Sequence, residues 1–324
     1  MSDEEIIPLP EMTTPAAPAP TPAPPPNTIF RGPDGIRAGW RLLIFLALVT
    51  AIVLLLALPF FLMRLAGFGQ PGSIRVSGIT PLGLSISEGV LFVIPSIAAL
   101  IMARLEHRKY GDYGLPFRFA FGKDFWIGTF IGFFSISVCL FGIFLFHGFH
   151  LTGMAIHGST IASATAAWSA TFVLVGLAEE FSFRGYMQFT LTKGIGFWPA
   201  AILLSGLFAL AHASNPGESK MGLLSVVLFG LLFCLFLRGT GNLWWAVGFH
   251  AGWDWGQTFF YGVPDSGIPP YHNLFGSVFH GPAWLTGGSV GPKASLFTPI
   301  VLVIVGILFT RVYRENKYQV QAAQ

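Results

Sequence analysis

Glu179, Glu180 and Arg184 lie in GLAEEFSFRGYMQFTLTK, His212 in FALAHAS, and His250 with Asp254 in GFHAGWDWGQ, all within otherwise apolar sequence. A charged side chain near the centre of a bilayer costs about 2.5 to 3.5 kcal/mol on insertion scales, so such groups are usually paired and functional. Glu180 and Arg184 are four apart, share a helix face and are expected to form an ion pair. Glu179 then projects about 100° away around the helix and is the carboxylate left free for chemistry. His250 and Asp254 have the same one-turn spacing. The carboxylate can accept from a ring nitrogen and fix its tautomer, or both groups can face one cavity.

A buried glutamate beside histidines is suited to activating water, with a histidine sharing the proton or holding the nucleophile. Peptide hydrolysis then needs an oxyanion donor, which one histidine can supply. The set Glu179, His212 and His250 could alternatively bind Zn²⁺ with a water in the fourth position, the form of an open catalytic metal site. Residue types leave both chemistries open.

The elements that must position these groups are membrane helices. The 324 residues are 53% hydrophobic and 10% charged, against roughly 25% charged for soluble globular chains. Apolar runs at 40–63, 84–103, 125–147, 161–178, 197–213, 221–237, 242–262 and 295–311 are the candidate spans. The expected fold is therefore an all-α polytopic membrane helical bundle of about eight transmembrane helices, the shorter runs being re-entrant or buried if they do not cross. If the fourth helix runs on to Lys193, Glu179 lies roughly 21 Å from its cytoplasmic end, and His212 lies roughly 22 Å along the fifth helix. The two depths agree, while His250 comes out shallower.

Residues 1–36 read as a disordered Pro/Ala-rich N-terminal arm, since PAAPAPTPAPPP has no apolar periodicity to support a core. The arm lacks the layout of a cleaved signal peptide, so the first span is expected to remain as a helix. Residues 37–318 form the transmembrane domain, with the polar cluster at about 160–262. With the N terminus inside, 13 of the 18 Lys and Arg fall on the cytoplasmic side. Only Arg64, Arg75, Lys220 and Lys293 fall outside, with Arg184 set aside. A multi-pass protein of the cell membrane with both termini cytoplasmic follows. The net charge of +3 is a topology signal, and no nucleic-acid partner is expected. Cys139 and Cys234 fall within spans and suggest no disulfide framework.

Taken together, the motifs resemble the CPBP family of intramembrane proteases, which holds the type II CAAX prenyl endopeptidases and the bacterial Abi-type membrane proteins. The family pattern EExxxR, FxxxH and HxxxN or HxxxD reads here as Glu179, Glu180 and Arg184, then Phe208 and His212, then His250 and Asp254. The resemblance implies that Glu179 and His212 activate the attacking water, that His250 and Asp254 stabilise the oxyanion, and that Glu180 and Arg184 support the site. It implies membrane lipid and a peptide or protein substrate, prenylated or membrane-anchored, as partners. Prenyl proteases of the family commonly carry Asn at the last position. Asp254 must instead be protonated to donate, or act by orienting His250.

Blander roles are assigned elsewhere. His147, His150, His157, His272 and His280 are expected near interfaces and outer loops, and Phe208 to serve as packing. Trp198, Trp244, Trp245, Trp253 and Trp255 could line a cavity, with the interfacial aromatic belt as the default expectation, and Glu88 is expected at the outer headgroups. The Gly- and Pro-rich loop at about 263–294 either caps the outer side or merely connects. No HExxH occurs, and no serine has a GxSxG setting. One reading from a different class stands beside the peptidase: a non-proteolytic transporter or binding scaffold using the same Glu and His residues as a proton relay or interaction site.

Overall fold

The computed structural model describes residues 28–32, 35–67 and 80–318. The N-terminal arm therefore lies almost wholly outside the described residues, as does Arg75. After a small ribbon of β1 (Arg31–Gly32) and β2 (Gly35–Ile36), the chain is a membrane helical bundle. Its helices are α1 (Ala38–Leu65), α2 (Pro81–Leu105), α3 (Lys123–Leu145), α4 (Ser159–Arg184), α5 (Tyr186–Ile195), α6 (Phe197–His212), α7 (Lys220–Thr240) and α8 (Trp244–Asp254). A π-helical turn, Trp255–Phe260, prolongs α8; the short α9 (Ala283–Thr286) and α10 (Phe297–Val312) follow. β3 (Phe149–Met154) and β4 (Phe275–Phe279) pair antiparallel, a small strand component that the all-α expectation did not include.

Among the described residues, α1, α2, α3, the combined stretch Ser159–Ile195 and α7 are long and apolar enough to cross a membrane. α6 and α10 are shorter apolar helices of 16 residues, or roughly 24 Å at 1.5 Å per residue. α1 presents Leu54, Leu55 and Phe60 outward, each more than 60% exposed. So much contiguous exposed apolar surface is stable against acyl chains and not against water.

The fourth helix differs from the uninterrupted one expected. α4 stops at Arg184 and α5 begins at Tyr186, because the backbone turns at Gly185 (φ −79°, ψ −118°), where a Cβ would run into the Phe181 carbonyl. The depth estimate that ran this helix to Lys193 therefore had the wrong geometry.

α8 carries His250 and Asp254 and is held at very close range. Gly128 and Gly132 of α3 face the Trp245 and Phe249 carbonyls, while Gly248 and Gly252 of α8 face the Phe125 and Thr129 carbonyls. A Cβ at any of the four would overlap backbone. These are two facing small-xxx-small stripes, the device by which membrane helices approach closely without a hydrophobic driving force between them. Trp244, Trp245 and Trp253 are buried at 5%, 3% and 1% exposure, inside the bundle and not in an interfacial belt. Their α8 positions turn inward because α8 is covered by α3, α4 and α7.

Two ends of the bundle are defined by contacts between connections. At one, Arg41 Nε donates to Glu106 at 2.8 Å, Tyr186 donates to Glu106 at 2.6 Å, Leu243 N donates to Gly114 O at 2.8 Å, and Lys317 N donates to Arg238 O at 2.9 Å. At the other, β3 pairs with β4, Ala155 N donates to Leu274 O at 2.8 Å, and Gly267 lies directly against the Pro216 carbonyl.

Candidate active site

Glu179, His212 and His250 come from α4, α6 and α8 and meet at one cavity wall. Glu179 Oε2 lies 3.7 Å from His250 Nε2 and 4.0 Å from His212 Nε2. Both separations exceed a direct hydrogen bond. Glu179 is partly accessible, its side chain 20% exposed, whereas Glu180 next to it is fully buried. Adjacent positions on a helix differ by about 100°, and here that angle separates a cavity-facing carboxylate from an internal one.

Each histidine is fixed by a second contact. His212 Nδ1 lies 2.9 Å from the Phe208 carbonyl. A carbonyl only accepts, so Nδ1 carries the hydrogen; Nε2 points toward Glu179, and in the neutral ring it presents its lone pair there. Phe208 does more than fill space. Its ring meets the His212 ring edge-on at 4.5 Å, and the Arg184 guanidinium carbon sits 4.3 Å from its centroid.

His250 is held by two carboxylates. Nδ1 lies 2.9 Å from Glu180 Oε1, and Nε2 lies 3.2 Å from Asp254 Oδ2, while Phe233 stacks on the ring at 5.3 Å. A ring with both nitrogens protonated satisfies both contacts. Glu180 also pairs with fully buried Arg184, Nη1 to Oε2 being 3.4 Å. Both one-turn pairs, Glu180 with Arg184 and His250 with Asp254, are thus in contact.

Lys293, expected to lie outside as a loop residue, reaches into this cluster. Its Nζ is 3.3 Å from Asp254 Oδ1 and 2.6 Å from Asp265 Oδ1. Burial works against its charge, but Asp254 and Asp265 outweigh it and hold the ammonium above its ordinary value. Charges of opposite sign therefore alternate from Arg184 through Glu180, His250, Asp254 and Lys293 to Asp265. The Gly/Pro-rich loop does more than connect.

The cavity, of about 360 Å³, lies between α2, α4, α6 and the loop before α10. Its polar wall includes Glu88, Glu179, His212, Asp254 and Lys293. Glu88 turns inward onto this wall. It is half-buried on this wall, one carboxylate oxygen being buried without a hydrogen-bond partner among the described residues.

The set Glu179, His212 and His250 can be tested against Zn²⁺. Each ligating imidazole must offer a bare lone pair about 2.0 to 2.1 Å from the metal. His212 Nε2 offers one. His250 does not, because its nitrogens face Glu180 and Asp254. The three donors do not fit Zn²⁺ in this arrangement, and among the described residues no group of three His, Cys, Asp or Glu could hold a metal ion.

Residues 161–256 match the family model described as Type II CAAX prenyl endopeptidase Rce1-like. The matched segment contains Glu179, Glu180, Arg184, Phe208, His212, His250 and Asp254; Glu88, Asp265 and Lys293 lie outside it. No curated protein shows a significant match to the chain. The resemblance read from the three motifs is borne out. The chain is therefore a multi-pass helical membrane protein whose residues 161–256 are similar to the Rce1-like type II CAAX prenyl endopeptidases, a family of peptidases.

Proposed function

We propose that this protein is an intramembrane endopeptidase in which Glu179 and His212 activate water against a peptide carbonyl. The reading is carried by one observation: Glu179 Oε2 is faced by the imidazole nitrogens of His212 and His250 on the wall of a cavity. Glu179 and the bare Nε2 of His212 are both acceptors. A water donating one hydrogen to each would be oriented and would lose a proton to the carboxylate as its oxygen attacks. The proton passes from Glu179 to the leaving amine, so the catalyst returns to its starting state. Neighbouring His250, protonated on both nitrogens, stabilises the developing oxyanion by its positive charge and by the Nε2–H that it shares with Asp254. With Lys293 beside it, Asp254 stays ionised and acts by orienting and charging His250. It does not donate a hydrogen bond itself. Glu180, Arg184 and Phe208 hold the two imidazoles in place. No step requires a metal.

Eight crossings with both termini cytoplasmic complete this reading. It is supported by the basic residues, which gather at the end holding Arg41, Arg118, Arg238 and Lys317. The test is cleavage of a membrane-anchored reporter peptide by the purified protein in liposomes. Glu179→Ala and His212→Ala are expected to abolish it while leaving expression and thermal stability largely intact. Full activity in either variant would refute the assignment.

A further inference from the structure

We infer that the site receives its substrate from the non-cytoplasmic face, as a polypeptide segment exposed at or beyond the outer leaflet. This rests on the peptidase reading and adds the side from which that site is reached. A lipid-anchored C terminus on the cytoplasmic leaflet is then not the substrate class.

Three observations carry it. First, the cavity's mouth is built from one end only. Beyond Glu179 the wall continues through Glu88 near the start of α2, Asn215 after α6, and Ser266, Ile268 and Lys293 of the loop before α10. These are the connections that pack together beside the β3–β4 ribbon. Second, a packed layer closes Glu179 off from the opposite end, whose own cavity of about 620 Å³ is lined by Arg108, Arg118, Phe189 and Lys317 and not by Glu179. Tyr113, Phe181, Tyr186, Phe189, Leu243 and Trp244 form one buried cluster there, between the Glu179 wall and the connections around Glu106 and Gly114. Third, that closed-off end is the basic one. Of the described Lys and Arg assigned to connections, only Arg64, Lys220 and Lys293 belong to the end with the mouth, and Lys293 is neutralised by two aspartates. The bias of Lys and Arg toward cytoplasmic connections then turns the mouth outward.

The wall is also acidic. Glu88, Glu179, Asp254 and Asp265 share this wall with Lys293 and His212, so it carries more carboxyl groups than basic side chains.

The test uses the full chain in intact cells. Cys139 and Cys234 are buried and give little background to a membrane-impermeant maleimide. Asn215→Cys is expected to label in intact cells as fully as after permeabilisation, and Arg118→Cys only after permeabilisation. Alkylation at Asn215→Cys is expected to stop cleavage of a reporter whose susceptible segment lies outside, and to leave wild type unaffected. The same segment placed inside is expected to remain whole. Labelling of Asn215→Cys only after permeabilisation, or cleavage of the inner reporter alone, overturns the inference without touching the peptidase reading. Cleavage of neither reporter by wild type counts against the peptidase reading, and the labelling still decides the facing. Undiminished cleavage by Glu179→Ala would sink the peptidase reading while the labelling stood.

Discussion

Lys293 Nζ lies 3.3 Å from Asp254 Oδ1, joining a residue of the loop before α10 to the carboxylate that contacts His250. The pair explains how an aspartate can stand where the family's prenyl proteases commonly carry asparagine. An ionised carboxylate at this depth needs a countercharge, and the loop supplies it. Lys293→Met is therefore expected to destabilise the protein by roughly 3 to 5 kcal/mol, as an uncompensated buried charge does. Asp254→Asn combined with Lys293→Met is expected to recover part of that loss. Thermal unfolding of both variants in one detergent checks the order. A double variant less stable than Lys293→Met would show that Lys293 does not act through Asp254.

Glu179 and Glu180 are neighbours in sequence with opposite expected behaviour. Among the described residues Glu179 has no direct hydrogen-bond partner, its approach to His250 being 3.7 Å, so Glu179→Gln leaves no buried charge unpaired. It is expected to lower the cleavage rate by about 10²- to 10⁴-fold, the usual contribution of a general base, with an unchanged melting temperature.

Glu180→Ala leaves Arg184 buried with its ion-pair partner removed and also frees His250 Nδ1. A stability loss of roughly 3 to 5 kcal/mol is expected. Denaturant unfolding of purified protein decides it. A melting curve matching wild type would mean that Arg184 is compensated by other groups.

The glycine stripes set the distance between α3 and α8. Gly132→Val or Gly248→Val must push backbone away from backbone, and either is expected to abolish a folded, monodisperse species on size exclusion. Gly206→Ala in α6 is the control, since a Cβ there meets nothing within 4 Å. It is expected to leave stability unchanged or raise it by about 0.5 to 1 kcal/mol.

Chelation separates the water-activating chemistries. With His250 committed to Glu180 and Asp254, treatment with a strong zinc chelator is expected to leave cleavage unchanged, and metal analysis of the active protein to find less than one equivalent of zinc. Loss of cleavage restored specifically by Zn²⁺ would require His250 to turn away from Asp254.

The sequence by itself determined the solvent and marked most of the polar groups that meet at the cavity. Apolar runs long enough to span a bilayer appear in composition alone, and the four-residue spacings of Glu180 with Arg184 and of His250 with Asp254 place each pair on one face whatever surrounds the helix. Those relationships are local, so they were legible. The stripes IGTFIG and GFHAG were equally readable, since small-xxx-small spacing signals close helix approach in membranes. What only the tertiary structure decided is long-range. Glu180 Oε1 meeting His250 Nδ1 joins residues 70 apart, and Lys293 and Glu88 sit in segments with no neighbouring pattern to mark them. The turn at Gly185 likewise escaped the apolar pattern, which continues through it unchanged. Spacing fixes what one helix presents on a face. Which faces meet, and which distant charge neutralises a buried one, is set by the summed packing of the whole bundle.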